Sequence, residues 1–216
     1  MRILALSDIH GAFETMRKII SAEHSADAIV LAGDLTTRGS PADLQEVLEK
    51  ATAFHLPVLA ILGNMDPPAL ARPLEATGLS LHGSGRTVGG VGFAGVSASP
   101  FSPLHTPNEV ADEELGKQAE KGWAMIQQCL HKVLVAHTPP FGSATDRIHT
   151  GAHAGSPSIR RFIETHQPAV VICGHIHEAR GKEVIGKTQV VNCGPAFEGS
   201  YAIVEIGMEV SISLMP

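Results

Sequence analysis

Seven side chains that can bind a metal ion follow apolar segments of the sequence. They are Asp8 and His10 in SDIHG, Asp34 in GDLT, Asn64 in GNMDPP, His137 in AHTPP, and His175 and His177 in GHIH. Carboxylate and amide oxygens and imidazole nitrogens are common ligands of divalent ions, and the set contains no thiolate. Seven ligands are too many for one tetrahedral zinc ion. The set therefore predicts two divalent ions that share a carboxylate.

The motif GHIH carries the most specific signal. His175 and His177 follow a valine-rich segment, and histidines at this spacing are poor turn formers and good nitrogen ligands. Asp8 and His10 have the same spacing, which places both side chains on one side of an extended chain. The pair Ser7-Asp8 is equally typical of a helix N-cap.

The other three motifs have ordinary structural interpretations when each is taken alone. Gly33-Asp34 and Gly63-Asn64 are common turn sequences. His137 alone fits a hydrogen-bonded core histidine, although Pro139-Pro140 predicts an exposed loop directly after it. The recurrence of polar residues after five apolar segments, more than any single motif, favours a metal site.

Five segments that are apolar on both alternations lead into these motifs, at residues 2–7, 28–33, 58–63, 132–137 and 169–174. Strands that are covered on both faces have this pattern. In open α/β sheets, ligands bind beyond the carboxyl ends of the strands. We therefore expect the seven predicted ligands to converge on one crevice.

Helical patterns lie between the apolar segments and predict an α/β fold. Ser40-Pro41 and Ser156-Pro157 each combine an N-cap serine with proline at the first helical position. A third helix is predicted to begin after Thr106-Pro107 and to run to about His131.

Four further segments have strand character without helices between them, at residues 87–98, 188–194, 200–206 and 209–215. They predict antiparallel additions, hence mixed sheets, and two sheets packed together. The length of 216 residues favours one domain spanning residues 1–216.

Composition excludes several classes of function. The formal charge of -6, the absence of a basic block and the aromatic content of 4% argue against binding to long nucleic acids. No apolar run is long enough to cross a bilayer, and Asp8 comes too early for a signal peptide. Three widely separated cysteines form no CxxC pair, which fits a reducing cytoplasm. Composition leaves the oligomeric state open.

The ordered set D-x-H, G-D, G-N-x-[DE], H and G-H-x-H, from residue 8 to residue 177, resembles the calcineurin-like metallophosphoesterases. The tail NCGPAFEGSYAIVEI also resembles members of this family. The resemblance implies a four-layer αββα sandwich with two mixed β-sheets. It implies that one ion is held by Asp8, His10, Asp34 and His177 and the other by Asp34, Asn64, His137 and His175. Asp34 is then the bridge.

The resemblance also implies the reaction, which is hydrolysis of a small phosphate ester by metal-bound hydroxide attack on phosphorus. The ions and the Asn64 amide would stabilise charge on the phosphoryl oxygens. We expect Mn²⁺ as the bound metal, with Fe, Zn, Ni or Mg as alternatives. The alternative functions are a phosphomonoesterase or protein phosphatase of the same fold, or a binding scaffold that retains the metal site.

Met65 departs from the pattern of the family. Many relatives carry a histidine here that contacts phosphate and protonates the leaving group, and a thioether cannot donate a proton. We therefore expect a preference for phosphodiesters and for good leaving groups. His153, in the Gly-rich segment DRIHTGAHAGS, is the candidate replacement for the missing acid.

Overall fold

A computed structural model describes residues 1–216, which form thirteen strands, five α-helices and three short 3-10 turns. The strands are β1 (Arg2–Leu6), β2 (Ala28–Ala32), β3 (Val58–Ile61), β4 (Gly85–Val88), β5 (Val91–Val96), β6 (Ser99–Pro100), β7 (Glu109–Val110), β8 (His131–Ala136), β9 (Val170–Cys173), β10 (Gly181–Ile185), β11 (Thr188–Asn192), β12 (Tyr201–Ile206) and β13 (Val210–Met215). The helices are α1 (Phe13–Ala22), α2 (Pro41–Thr52), α3 (Ala71–Ala76), α4 (Asp112–Ala124) and α5 (Pro157–His166). No helix combines the length and the apolar composition that a bilayer crossing needs.

The first sheet has the strand order β13-β12-β1-β2-β3. Its strands β1, β2 and β3 are parallel, with Leu4 opposite Ile29 and Val30 opposite Leu59. Strand β12 pairs with β1 in the antiparallel direction, and β13 pairs with β12 in the same way. These last two strands are the predicted antiparallel additions of the tail.

The second sheet has the strand order β10-β11-β9-β8-β5-β4. Its inner strands β11, β9, β8 and β5 are parallel, and the edge strands β10 and β4 are antiparallel to their neighbours. The segment at 188–194, expected as an antiparallel addition, forms β11 and pairs in the antiparallel direction with β10. On its other side β11 pairs in parallel with β9, so the expectation holds for only one of its two neighbours.

The two sheets pack face to face, and helices cover both outer faces. Along β1, Ile3 and Ala5 belong to the cluster between the sheets, whereas Leu4 and Leu6 belong to the cluster beneath α1 and α2. This division follows from the alternation of side chains along a strand. Helices α4 and α5 cover the second sheet. Phe162 is buried in the hydrophobic cluster between these helices and that sheet. The arrangement is the expected αββα sandwich.

Two helix starts are confirmed and one is wrong. Ser40 and Ser156 cap α2 and α5 through bonds from the backbone N–H groups of Asp43 and Ile159. Helix α4 begins at Asp112 rather than after Pro107, and it ends at Ala124. The preceding segment is extended because residues 109–110 pair with residues 99–100.

Candidate metal centre

The seven predicted ligands meet at the carboxyl ends of five parallel strands from both sheets. Asp8 and His10 follow β1, Asp34 follows β2, Asn64 follows β3, His137 follows β8, and His175 and His177 follow β9. Residues more than 100 positions apart in the sequence are neighbours here, since Nε2 of His137 lies 3.4 Å from Oδ2 of Asp34. The expected convergence on one crevice is present in the structure, whereas the role of each side chain as a metal ligand stays a prediction.

Asp8, His10 and His177 form the first donor group. Their donor atoms all lie within 4.8 Å of one another. Nε2 of His177 lies 3.4 Å from Oδ1 of Asp8, and Nε2 of His10 lies 3.6 Å from Oδ2 of Asp34. This group corresponds to the first ion that the family resemblance implies.

Asn64, His137 and His175 form the second donor group. Oδ1 of Asn64 lies 2.9 Å from Nε2 of His137 and 2.7 Å from Nδ1 of His175. The same Oδ2 of Asp34 that lies near His10 also lies near His137, so one carboxylate oxygen lies between the two groups. Asp8 also lies within 4.8 Å of Asp34 and His137, so the two carboxylates are adjacent at the centre of the site.

The chemistry of the donor set fits two divalent cations. The Asp8 and Asp34 side chains are buried, with exposed fractions of 0% and 3%, and their charged partners are histidines only, without lysine or arginine. Two adjacent buried carboxylates need positive charge, because transfer of an unpaired charge from water to a protein interior is costly. Histidine nitrogens together with oxygens are ligands for Mn²⁺, Fe²⁺ and Zn²⁺.

Hydrogen bonds from the far side of the imidazole rings orient two of the histidines. Nδ1–H of His137 donates to the carbonyl oxygen of Ala32 at 2.9 Å, and Nδ1 of His10 lies 2.9 Å from Oγ1 of Thr37. Each bond turns Nε2 toward the carboxylates. Outer partners of this kind are typical of metal-binding histidines, because they fix the tautomer and the orientation of the ring.

Backbone strain and close contacts accompany the ligand motifs. Asp8, Asp34 and His175 have φ angles of 56°, 50° and 68°, in the left-handed region that residues other than glycine seldom adopt. A Cβ atom on Gly63 would overlap Oδ1 of Asp34, and one on Gly174 would overlap Oδ2 of Asp8. Glycine precedes Asn64 and His175 because the carboxylates lie against the backbone at these positions.

Asp66, the last residue of the G-N-x-[DE] motif, has a supporting position that the sequence did not reveal. Its buried carboxylate accepts hydrogen bonds from the backbone N–H groups of Gly63 (2.9 Å), Leu35 (3.0 Å) and Thr36 (2.8 Å). It therefore ties the loop after Asp34 to the GNMDPP loop. Burial, and then the nearby Asp34 carboxylate, raise the pKa of Asp66 to about 6. The signal in the sequence was a carboxylate two residues after Asn64.

The carboxylates shift the pKa values of the histidines in opposite directions. Burial opposes protonation of His137, but Asp34 and Asp8 outweigh it and raise the pKa of His137 to about 9. Burial, and then the positive charge on His137, lower the pKa of His175 to about 4. One histidine of the second donor group is thus protonated at neutral pH in the metal-free protein, and the other is neutral.

The surroundings of His137 correct one expectation. Pro139-Pro140 predicts an exposed loop, but His137, Pro139 and Pro140 are all buried. The backbone N–H of Ser156 donates to the carbonyl oxygen of Pro139 at 2.8 Å, and Phe141 donates to Ser156 at 3.1 Å. The segment before α5 therefore covers the loop and leaves His137 without exposed surface.

A family model described as calcineurin-like phosphoesterase matches residues 1–179 of this sequence. The chain belongs to the calcineurin-like phosphoesterase family. An uncharacterized protein of Methanocaldococcus jannaschii is 30% identical over 199 residues, covering 90% of this chain and 88% of that protein. A probable cyclic nucleotide phosphodiesterase of Synechococcus is 23% identical over 158 residues, covering 73% of this chain and 60% of that protein.

The fold of this calcineurin-like phosphoesterase also agrees with solved structures. A dimetal phosphatase from Danio rerio superimposes with a TM-score of 0.72 at 12% identity, covering 99% of this chain and 95% of that one. At such low identity the comparison supports the fold alone.

The phosphoesterase has a cleft of about 800 Å³ above the donor groups. Half-buried Met65 lines this cleft, together with residues 100–104 and Thr106 on one loop and Ile148 and residues 153–155 on another. His153 lines it as well, as the sequence analysis expects for the candidate acid. Nδ1 of His153 lies 2.6 Å from Oδ1 of the buried Asp146, a residue that the sequence analysis did not single out.

Proposed function

We propose that this calcineurin-like phosphoesterase binds two divalent ions, with Mn²⁺ favoured, and hydrolyses small phosphodiesters. The observation that carries the proposal is the pair of buried carboxylates, Asp8 and Asp34, flanked by histidines at the base of the cleft. The name of the Synechococcus relative supports a phosphodiester substrate.

Divalent ions held by these residues would polarise the phosphoryl oxygens and activate water for attack on phosphorus. The protein positions the oxygen atoms that would bind the ions. Oδ2 of Asp34 lies between the donor groups, and Oδ1 of Asn64 is turned toward His137 and His175. The Nδ2 amide of Asn64 then remains a donor for a phosphoryl oxygen.

His153 is proposed as the proton donor for the leaving group in place of the missing acid at Met65. Its Nδ1–H donates to Asp146, so Nε2 is the atom that can deliver a proton to the departing oxygen. In this reaction the oxygen of water forms a new bond to phosphorus, and the proton that the water loses passes to solvent. The bond from phosphorus to the leaving oxygen breaks, and the proton of His153 goes to that oxygen.

Charge favours a diester over a monoester. No lysine or arginine lines the cleft, and Glu178 lies at its edge. A phosphodiester carries one negative charge, whereas a monoester carries nearly two at neutral pH. With the metal ions as the main positive charges, the singly charged ester is bound with less repulsion from Glu178.

A direct test compares bis-p-nitrophenyl phosphate, p-nitrophenyl phosphate and a phosphopeptide with the Mn²⁺-loaded protein. We expect the highest kcat/KM with the diester. A preference for the monoester or the phosphopeptide would favour the alternative phosphatase functions. Stoichiometric metal without turnover of any ester would favour a binding scaffold and contradict the proposal.

We also propose a cytoplasmic location. The three cysteines, Cys129, Cys173 and Cys193, are free and buried. Burial, and then the proximity of Cys193, raise the pKa of the Cys173 thiol, which keeps it protonated and unreactive. Free thiols are typical of a reducing compartment. Cell fractionation tests the location, and recovery in an oxidising compartment would contradict it.

A further inference from the structure

The loop of residues 100–106, here called the rim loop, presents apolar side chains beside the metal centre. Phe101 and Leu104 line the cleft, yet they are 73% and 79% exposed. Most side chains of this size are buried in a folded protein, and exposed apolar groups at a cleft mark ligand-binding surfaces. Pro100 and Pro103, from the same loop, also line the cleft and limit the freedom of its backbone.

Glu109 holds the rim loop in one conformation. Its carboxylate accepts hydrogen bonds from the backbone N–H and hydroxyl of Ser102, at 3.0 and 2.7 Å, and from those of Thr106, at 2.8 and 2.6 Å. Four bonds to one carboxylate close the loop on itself. Phe101 and Leu104 are therefore presented by an ordered segment, although their side chains face solvent.

Asn108 connects the rim loop to the metal centre. Its backbone N–H donates to the carbonyl oxygen of Asn64 at 2.9 Å, and its side-chain Nδ2 donates to the carbonyl oxygen of Gly63 at 3.0 Å. The apolar wall is thus fixed relative to the backbone of a predicted ligand. A substrate whose phosphate lies at the metal centre would have an organic group within reach of this wall.

We propose that the rim loop forms a subsite for the retained arm of the phosphodiester, and that this arm is aromatic or otherwise apolar and uncharged. This inference rests on the proposed function. The leaving oxygen needs a proton, and the only titratable residue of the rim loop, His105, does not line the cleft. The arm against Phe101 and Leu104 is therefore the one that stays on phosphorus.

The charges around the cleft agree with an uncharged arm. Its lining has no lysine or arginine that would bind a second phosphate or a carboxylate on the substrate, and it includes Glu178. A second anionic group would lie in the field of this carboxylate without a lysine or arginine to bind it. The site thus selects against esters whose retained arm carries negative charge.

Two diesters with the same leaving group test the subsite. Phenyl p-nitrophenyl phosphate and methyl p-nitrophenyl phosphate both release p-nitrophenolate and differ only in the retained arm. We expect about tenfold higher kcat/KM for the phenyl ester, the size of effect that one aromatic contact gives. Phe101→Ala and Leu104→Ala should each remove most of this preference. Each should change kcat/KM for the methyl ester by less than about twofold. A 4-carboxyphenyl arm should lose the preference in the parent protein.

Leu130→Ala is the matched control, because Leu130 is 86% exposed and lies outside the cleft. This variant should leave kcat/KM unchanged for both esters. Equal effects of Phe101→Ala on both esters, or no effect, would overturn the subsite. A change in oligomeric state with unchanged selectivity would instead identify the rim loop as an interface between copies of the chain.

A binding measurement separates this inference from the proposed function. If no diester is hydrolysed, the proposed activity is wrong, but the subsite still predicts tighter binding of diphenyl phosphate than of dimethyl phosphate to the Mn²⁺-loaded protein. Calorimetry should then show that Phe101→Ala removes the difference. Equal binding of the two diesters by the parent protein would contradict the subsite whatever the turnover.

Discussion

Nδ1 of His153 lies 2.6 Å from Oδ1 of Asp146, a carboxylate without exposed surface. Asp146 also accepts hydrogen bonds from the backbone N–H groups of Gly142 (3.1 Å), Ser143 (3.0 Å) and Gly155 (3.0 Å). The carboxylate is therefore fixed by the loop, and it fixes the imidazole in turn. A buried carboxylate that orients a histidine at a cleft is a common arrangement for proton transfer.

His153→Gln should slow alkyl diesters more than aryl diesters. An alkoxide needs a proton to leave, whereas p-nitrophenolate leaves unaided, so the loss of the acid should cost about 10²- to 10⁴-fold in kcat for alkyl esters only. The matched control is His149→Gln, since the His149 side chain lies in the same loop and is 87% exposed. Equal losses in both ester classes, or none, would exclude His153 as the acid.

Met65→His should raise kcat for alkyl diesters more than for aryl diesters. Met65 lines the cleft beside Asn64, so a histidine there can reach the leaving group and donate a proton. Comparison of the two ester classes separates acid catalysis from better phosphate binding. An equal gain in both classes would mean that the new histidine binds phosphate and does not protonate the leaving oxygen.

Asp66→Asn should destabilise the metal-free protein and weaken metal binding. The amide has one acceptor oxygen, and its NH₂ group would face buried backbone N–H groups that Asp66 now satisfies. Each buried donor left without a partner costs about 1–3 kcal/mol. Urea denaturation and metal titration measure the two effects. Asp43→Asn is the control, because Asp43 is a half-buried carboxylate that caps α2 and lies outside the cleft. Unchanged stability of Asp66→Asn would show that the hydrogen bonds to Asp66 contribute little.

Metal binding should release a proton from His137. Its pKa of about 9 means that it is protonated below that pH in the metal-free protein, whereas a ligand nitrogen must be neutral. The apparent metal affinity should therefore rise with pH between about 6 and 8. His175, with a pKa of about 4, contributes no proton in this range. Calorimetry in buffers of different ionisation enthalpy counts the protons. Affinity that is flat over this range would contradict the ligand assignment of His137.

The sequence alone predicts much of the site because each ligand motif directly follows its own apolar strand segment. Apolar segments followed by Asp8, Asp34, Asn64, His137 and His175 predict both the parallel strands and their convergence. The family model over residues 1–179 confirms the resemblance that these motifs carry.

The carboxylates that support the site are harder to predict from the sequence. Asp66 and Asp146 accept hydrogen bonds from backbone groups, and Asp66 does so from residues about thirty positions away. A carboxylate beside proline or in a Gly-rich loop has the same local pattern whether it caps a turn or holds a buried network. The parallel pairing of β11 with β9 is equally hard to predict from the local sequence, because it depends on which strands lie on each side of β11.

The most direct test of the two-metal account measures metal content and diester turnover on the same Mn²⁺-reloaded samples of the parent protein and Asp34→Asn. Oδ2 of Asp34 lies 3.6 Å from Nε2 of His10 and 3.4 Å from Nε2 of His137, so its loss affects both donor groups. We predict about two equivalents of metal with turnover in the parent protein, and loss of both metal and turnover in the variant. Full metal content and unchanged turnover in Asp34→Asn would contradict the bridging carboxylate and, with it, the shared two-metal site.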